Sequence, residues 1–219
     1  MTRVKGRTCS WIVAEITVAS LDARQRKLME NARIALERGQ LDYALDATGE
    51  ILLAAPACVA VRRLQREAQL KRFKTRGGLM ARAAVWMAAA SLRACADPKR
   101  AGRTLAAADK LLRRDPTSVA LLTLLAESAL HLGRPETAAF AREAIRELRP
   151  AARDNLIALG EAWLAAGQPT KALHLAEEVL RAHPVDGPAL ELLRQASIAQ
   201  TVTAGNWDSA GTFREKLRS

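Results

Sequence analysis

Residues 150–184 read PAARDNLIALGEAWLAAGQPTKALHLAEEVLRAHP, and residues 116–150 read PTSVALLTLLAESALHLGRPETAAFAREAIRELRP. Aligned on their prolines, the two stretches repeat each other. Pro116, Pro150 and Pro184 are spaced by 34 residues. Gly133 and Gly167 keep that interval, as do Pro135 and Pro169, Ala138 and Ala172, Leu122 and Leu156, and Leu125 and Leu159. Each position has a physical role. The leucines recur on one face of a first helix. Gly133 and Gly167 end that helix, where a left-handed residue costs glycine least. Pro135 and Pro169 open a second helix, whose first turn tolerates a missing N–H. Pro150 and Pro184 stop the second helix, because a proline disfavours helical geometry in the residue before it. Ala126, Gly160, Ala138 and Ala172 are small where two helices approach closely.

A third copy stands upstream. Leu28, Ala32, Gly39, Ala44, Ile51 and Pro56 fit the same register, and Leu41–Pro56, LDYALDATGEILLAAP, reads as a second helix with its stop. Residues 101–116 read as another second helix, whose first helix would be 79–96. Pro56 to Pro116 is 60 residues, less than two full periods, so the array slips phase near Lys71–Gly78. Residues 57–75 are expected to be a helix, followed by a break at Gly77–Gly78. Residues 188–203 are expected to be a long helix, and Gly205–Leu217 a truncated one.

A period of 34 with these residues resembles the tetratricopeptide repeat family. Residues 119–152 and 153–186 look like two consecutive repeats, with Trp163 in the large position of a first helix and Ala129 in its place one repeat earlier. The resemblance implies an all-α solenoid of antiparallel helix pairs wound as a right-handed superhelix. The expected organisation is a tail at 1–23, disordered or weakly targeting-like; a degenerate repeat plus a basic helix at 24–78; a degenerate repeat at 79–118; two repeats at 119–186; and a capping helix with a truncated helix at 187–219.

Composition agrees with an all-α chain. Helix formers dominate, and the one stretch resembling a strand is 11–18. The formal net charge is +11. Residues 1–114 carry 23 Lys/Arg against 10 Asp/Glu, and residues 115–219 carry 11 against 13. The excess therefore lies in the front half and suits an acidic partner or nucleic acid. Cys9, Cys58 and Cys95 have neither disulfide nor zinc spacing. Arg3, Lys5 and Arg7 precede an apolar stretch, but Glu15 interrupts it and no small-residue cleavage site follows. The expected location is the cytoplasm, with secretion the alternative. Leu79–Leu92, LMARAAVWMAAASL, is too short to span a bilayer and carries Arg82. It is expected to be a buried helix, with Trp86 and Trp11 as packing residues.

No pattern of catalysis stands out. His131, His174 and His183 lack an HExxH or a cysteine partner, and neither GxSxG nor a GK[ST] loop occurs. No enzyme activity, cofactor or metal is expected, and the histidines are expected at the surface or at helix ends. The expected role is a scaffold for a protein or peptide partner. The resemblance implies a groove lined by first helices, here Thr123, Glu127, Leu130, Ile157, Glu161 and Leu164, with Arg26, Met29 and Arg33 in the upstream copy. Some relatives clamp a C-terminal carboxylate there with Lys and Asn. Glu127 and Glu161 would repel one and suit a basic or amphipathic segment. The alternative is polyanion binding by the run Arg62, Arg63, Arg66, Lys71, Arg72, Lys74 and Arg76, opposed in sequence by Glu67 alone. Self-assembly through an end of the array is a third expectation.

Overall fold

Between its glycines and prolines the described chain is largely helical. The structure, a computed structural model, describes residues 17–76 and 79–204, with the backbone alone at 76, 79–81 and 204. It forms two compact units, the first running to Pro150 and the second starting at Ala151. The first holds α1 (Ala23–Glu37), α2 (Leu41–Ala54), α3 (Val59–Arg76), α4 (Leu79–Ala94), α5 (Ala101–Leu112), α6 (Val119–His131) and α7 (Pro135–Leu148). The second holds α8 (Arg153–Ala165), α9 (Pro169–Ala182) and α10 (Gly187–Ala204). No strand occurs among the described residues. The unit boundary falls between the two repeats read at 119–186. Residues 1–16, with Cys9 and Trp11, lie outside the described residues, as do the Gly77–Gly78 break and the truncated helix expected at 205–217.

Three hairpins, α1–α2, α6–α7 and α8–α9, share one turn. Gly39, Gly133 and Gly167 have φ of 75°, 66° and 70°. In each, the N–H after the glycine reaches back across the helix end: Gln40 to the Ala35 carbonyl at 2.8 Å, Arg134 to Ala129 and Gln168 to Trp163 at 2.9 Å. This bond satisfies a carbonyl that the helix leaves orphaned, and the left-handed glycine makes the reversal possible. The second helices end alike. Ala55, Arg149 and His183 donate to the carbonyls of Ile51, Ile145 and Val179, each at 2.8 Å, with φ between −128° and −142°. A proline follows each, and its ring holds the preceding residue out of the helix. The upstream copy therefore has the same geometry as the two that define the period.

Packing follows the pattern. Leu121, Leu122, Leu124 and Leu125 on α6 are each at most 1% exposed, because α6 lies between α5 and α7. Burying one such leucine stabilises by about 1.5–3 kcal/mol. Ala35, Leu36, Ala44, Leu45 and Ala68 form a core where α1, α2 and α3 meet. In the second unit, α8 and α10 approach so closely that a Cβ at Gly160 would stand 2.4 Å from Leu192 Cδ2. Leu192 is itself buried, which explains the small residue. Trp163 is buried, and Lys171 Nζ lies 3.7 Å from its ring centroid, a cation–π contact.

The expectation of a buried helix at 79–92 is corrected. On α4, Val85 and Ala89 are buried, but Trp86 is 70% and Met87 67% exposed. One narrow stripe, two residues four apart, faces the unit. The reason is the phase slip. Both α3 and α4 lie between α2 and α5, and α3 takes the inner position: it packs on α2 and reaches α5 and α7 through Arg62 and Arg66. That leaves α4 outside, against α5 and α6.

Candidate partner-binding surfaces

The basic run on α3 does not form the solvent-facing stripe expected of it. Arg62 is 2% exposed. Its Nη1 donates to both carboxylate oxygens of Asp109, at 2.8 and 3.0 Å, and its Nε to the Pro56 carbonyl at 3.0 Å. Arg66 is also buried and donates to Glu147 and to the carbonyls of Pro116 and Ala144. Arg63 lies 3.8 Å from Glu143, Arg72 3.3 Å from Asp42, and Lys71 2.9 Å from Glu67. Lys74 is exposed, and the Arg76 side chain is outside the described residues. Counting charges along the sequence overlooks carboxylates brought in by α2, α5 and α7. A buried arginine bound to a carboxylate and to carbonyls is not presented to a partner in solution.

Two grooves in the first unit run between helices of the first type. Arg26, Met29 and Arg33 on α1 line a cavity of about 440 Å³ with Arg63, Leu64 and Glu67 of α3. The expected upstream trio is thus gathered at one place. A second groove, about 820 Å³, lies between α4 and α6. Trp86 forms one wall and Val119 and Thr123 the other, with Arg82, Arg93 and Arg149 around it. Its one carboxylate, Asp115, is buried, accepts from the Thr117 N–H and hydroxyl, and stands 4.0 Å from Arg82. The groove is therefore basic around an exposed indole. Sequence reasoning missed Trp86 because its apolar neighbours suggest burial.

The remaining groove candidates are distributed over both units. Thr123 and Glu127 are half-buried and Leu130 is exposed on α6; Glu161 is exposed and Leu164 half-buried on α8. Ile157 is a correction. It is 7% exposed, because the first turns of α8 turn Asn155, Leu156 and Ile157 inward together. His131, His174 and His183 are all exposed, and His174 lies 3.8 Å from Glu177. Among the described residues no group of three or more His, Cys, Asp or Glu is placed to hold a metal ion. No described helix is long and apolar enough to cross a membrane. Cys58 is buried and Cys95 exposed.

What decides the family of folds is the recurrence of one hairpin, with a left-handed glycine in its turn and a proline after its second helix, at the period of 34. The chain folds as tetratricopeptide-like repeats. No family model matches the sequence, and no curated protein matches it. Solved structures of tetratricopeptide proteins do resemble the chain. The first repeat domain of Spaghetti (RPAP3), bound to an HSP90 peptide, is 16% identical with a TM-score of 0.38, covering 83% of this chain and 97% of that one. MamA is 16% identical with a TM-score of 0.43, covering 89% and 90%. TTC0263, a thermophilic tetratricopeptide protein of Thermus thermophilus, is 18% identical with a TM-score of 0.38, covering 80% and 81%.

Proposed function

We propose that this tetratricopeptide-like chain is a non-enzymatic scaffold that seats a segment of a protein partner in the groove between α4 and α6. The observation that carries the reading is Trp86. A tryptophan 70% exposed on the wall of an 820 Å³ groove loses apolar burial that a partner would restore, and tryptophan dominates the energetics of many interfaces. Arg82, Arg93 and Arg149 surround it, so the partner is an acidic segment with an apolar or aromatic anchor. This differs from the basic partner expected from Glu127 and Glu161. Thr123 lines the groove, and Glu127 lies one turn further along α6.

The test is affinity capture from nuclease-treated native extract with the full chain, compared with Trp86→Ala and with the Arg82→Glu, Arg93→Glu pair. All three positions are exposed, and circular dichroism checks that each variant keeps its fold. Loss of the indole is expected to reduce the captured partner by about tenfold or more, the range of a hot-spot truncation. Charge reversal is expected to reduce it further and to remove its salt dependence. Unchanged capture by Trp86→Ala would refute the assignment of this groove. Loss on Glu127→Lys with Trp86→Ala unaffected would instead favour a basic partner further along α6.

A further inference from the structure

A cavity of about 700 Å³ in the first unit is bounded by α2, α3, α5 and the α6–α7 turn. Leu52, Leu53, Pro56, Leu105 and Ala106 form its apolar wall. Leu53 is 87% exposed, so this wall opens to solvent. Three acids and three bases also line it, and the acids are engaged: Asp46 with Arg113 at 2.5 Å, Glu50 with Arg24 at 2.8 Å and Asp109 with Arg62 at 2.8 Å. The lining therefore carries no net charge and selects for neither a cation nor an anion.

Two observations single out this cavity. First, Gln65 of α3 lines it and is 7% exposed. Its side-chain amide makes no hydrogen bond among the described residues, while Arg62 and Arg66 beside it on α3 are bonded to α5 and α7. The amide atoms are not sealed in, so the open space they border is the cavity. A polar group this buried ordinarily has a partner, and a carboxamide offers both donor and acceptor. Second, two helical glycines stand on the wall, Gly49 within α2 and Gly102 within α5. Glycine is a poor helix former, and neither has the left-handed backbone of the turn glycines. Packing does not call for them either. A Cβ at Gly49 would meet Arg113 Nη1 at an ordinary 3.7 Å, and one at Gly102 would meet nothing within 4 Å. Unlike Gly160, these glycines admit no neighbour; they leave the cavity wide.

We propose that this cavity is a binding site for a small uncharged amide with an aliphatic chain, whose amide pairs with the Gln65 carboxamide while the chain lies against Leu52, Leu53 and Leu105. Gln65 Nε2 donates to the ligand carbonyl, and Gln65 Oε1 accepts from the ligand N–H. An amide is the neutral group that answers a carboxamide with both a donor and an acceptor. The volume falls in the range of small-molecule sites, which are mostly apolar with a few placed polar groups. The site is separate from the α4–α6 groove and does not depend on the reading given for it.

The experiment is an NMR titration of the full chain with N-methylhexanamide and with methyl hexanoate, which lacks only the N–H, repeated on Gln65→Leu and Gly102→Leu. Gln65→Leu removes the carboxamide at similar size. Gly102→Leu puts a side chain into the open space of the wall while improving the helix former, so it is expected to raise the thermal midpoint and remains informative if Gln65→Leu folds poorly. The amide is expected to bind with a Kd of about 1 mM or tighter, shifting the backbone amides of 49–53 and 102–106, and the ester about tenfold weaker, the loss of one hydrogen bond. Gln65→Leu is expected to bring the amide to the level of the ester, and Gly102→Leu to weaken both. No binding of the amide to the full chain, equal binding of the ester, or undiminished binding by either folded variant would each overturn the proposal.

Discussion

Arg62 shows how one side chain fixes several elements at once. Its guanidinium joins the end of α2, through Pro56, to α5, through Asp109. The carboxylate is a quarter exposed while the arginine is enclosed, so removing the acid strands a buried cation. Breaking such a pair from one side costs about 3–5 kcal/mol, a large share of the 5–15 kcal/mol typical of a domain. Asp109→Ala is therefore expected to shift the urea midpoint of the first unit strongly, and Arg63→Ala, whose partner is 3.8 Å away at the surface, by under about 1 kcal/mol. Equal shifts would contradict the assignment. None of this was legible in the sequence. Arg62 and Asp109 are 47 positions apart and Arg66 and Glu147 81, and no local pattern links them. The glycines and prolines were legible because each acts on its own backbone. Gly133 declares its turn without reference to anything distant.

Helices inherit this division between local and distant causes. The boundaries of α6–α9 follow from glycine and proline, and the period located them. Burial of α4 could not be found that way, because LMARAAVWMAAASL is apolar on nearly every side and only its neighbours decide which side is covered. Val85 and Ala89 are the stripe that is covered. A helix held by two small side chains opens more readily than one enclosed on both sides. Backbone amides of 84–92 are expected to exchange with solvent well ahead of those of 121–129 in α6. Hydrogen exchange followed by mass spectrometry resolves the two segments, and equal protection would contradict this account of α4.

Across the whole molecule, charge and stability divide between the units. The front half carries the cationic excess, yet much of it is matched across space by Asp42, Asp46, Asp109, Glu143 and Glu147. In the second unit two carboxylates are held low. Asp186 is held below the usual carboxylate range by its bond from Arg153 and then by the Ala189 N–H. Glu191 is held down to about 2 by Arg194 and then Gln195. Both pKa values are lower folded than unfolded, so their contribution is complete above the unfolded values, about 4, and is lost as the pH falls toward 2. Helicity of α10 is expected to decline over that interval, and the decline to shrink in Asp186→Asn. Circular dichroism of the two proteins against pH decides it, and identical curves would exclude the Asp186 pair as the cause. The placement of α4 has a historical reading as well. Since α3 already bridges α2 to α5 and α7, a length of chain between α3 and α5 is free to be gained, lost or exchanged without disturbing the register on either side. The exposed indole rides on that length, so the surface most open to selection for new partners is also the one whose alteration the rest of the array feels least.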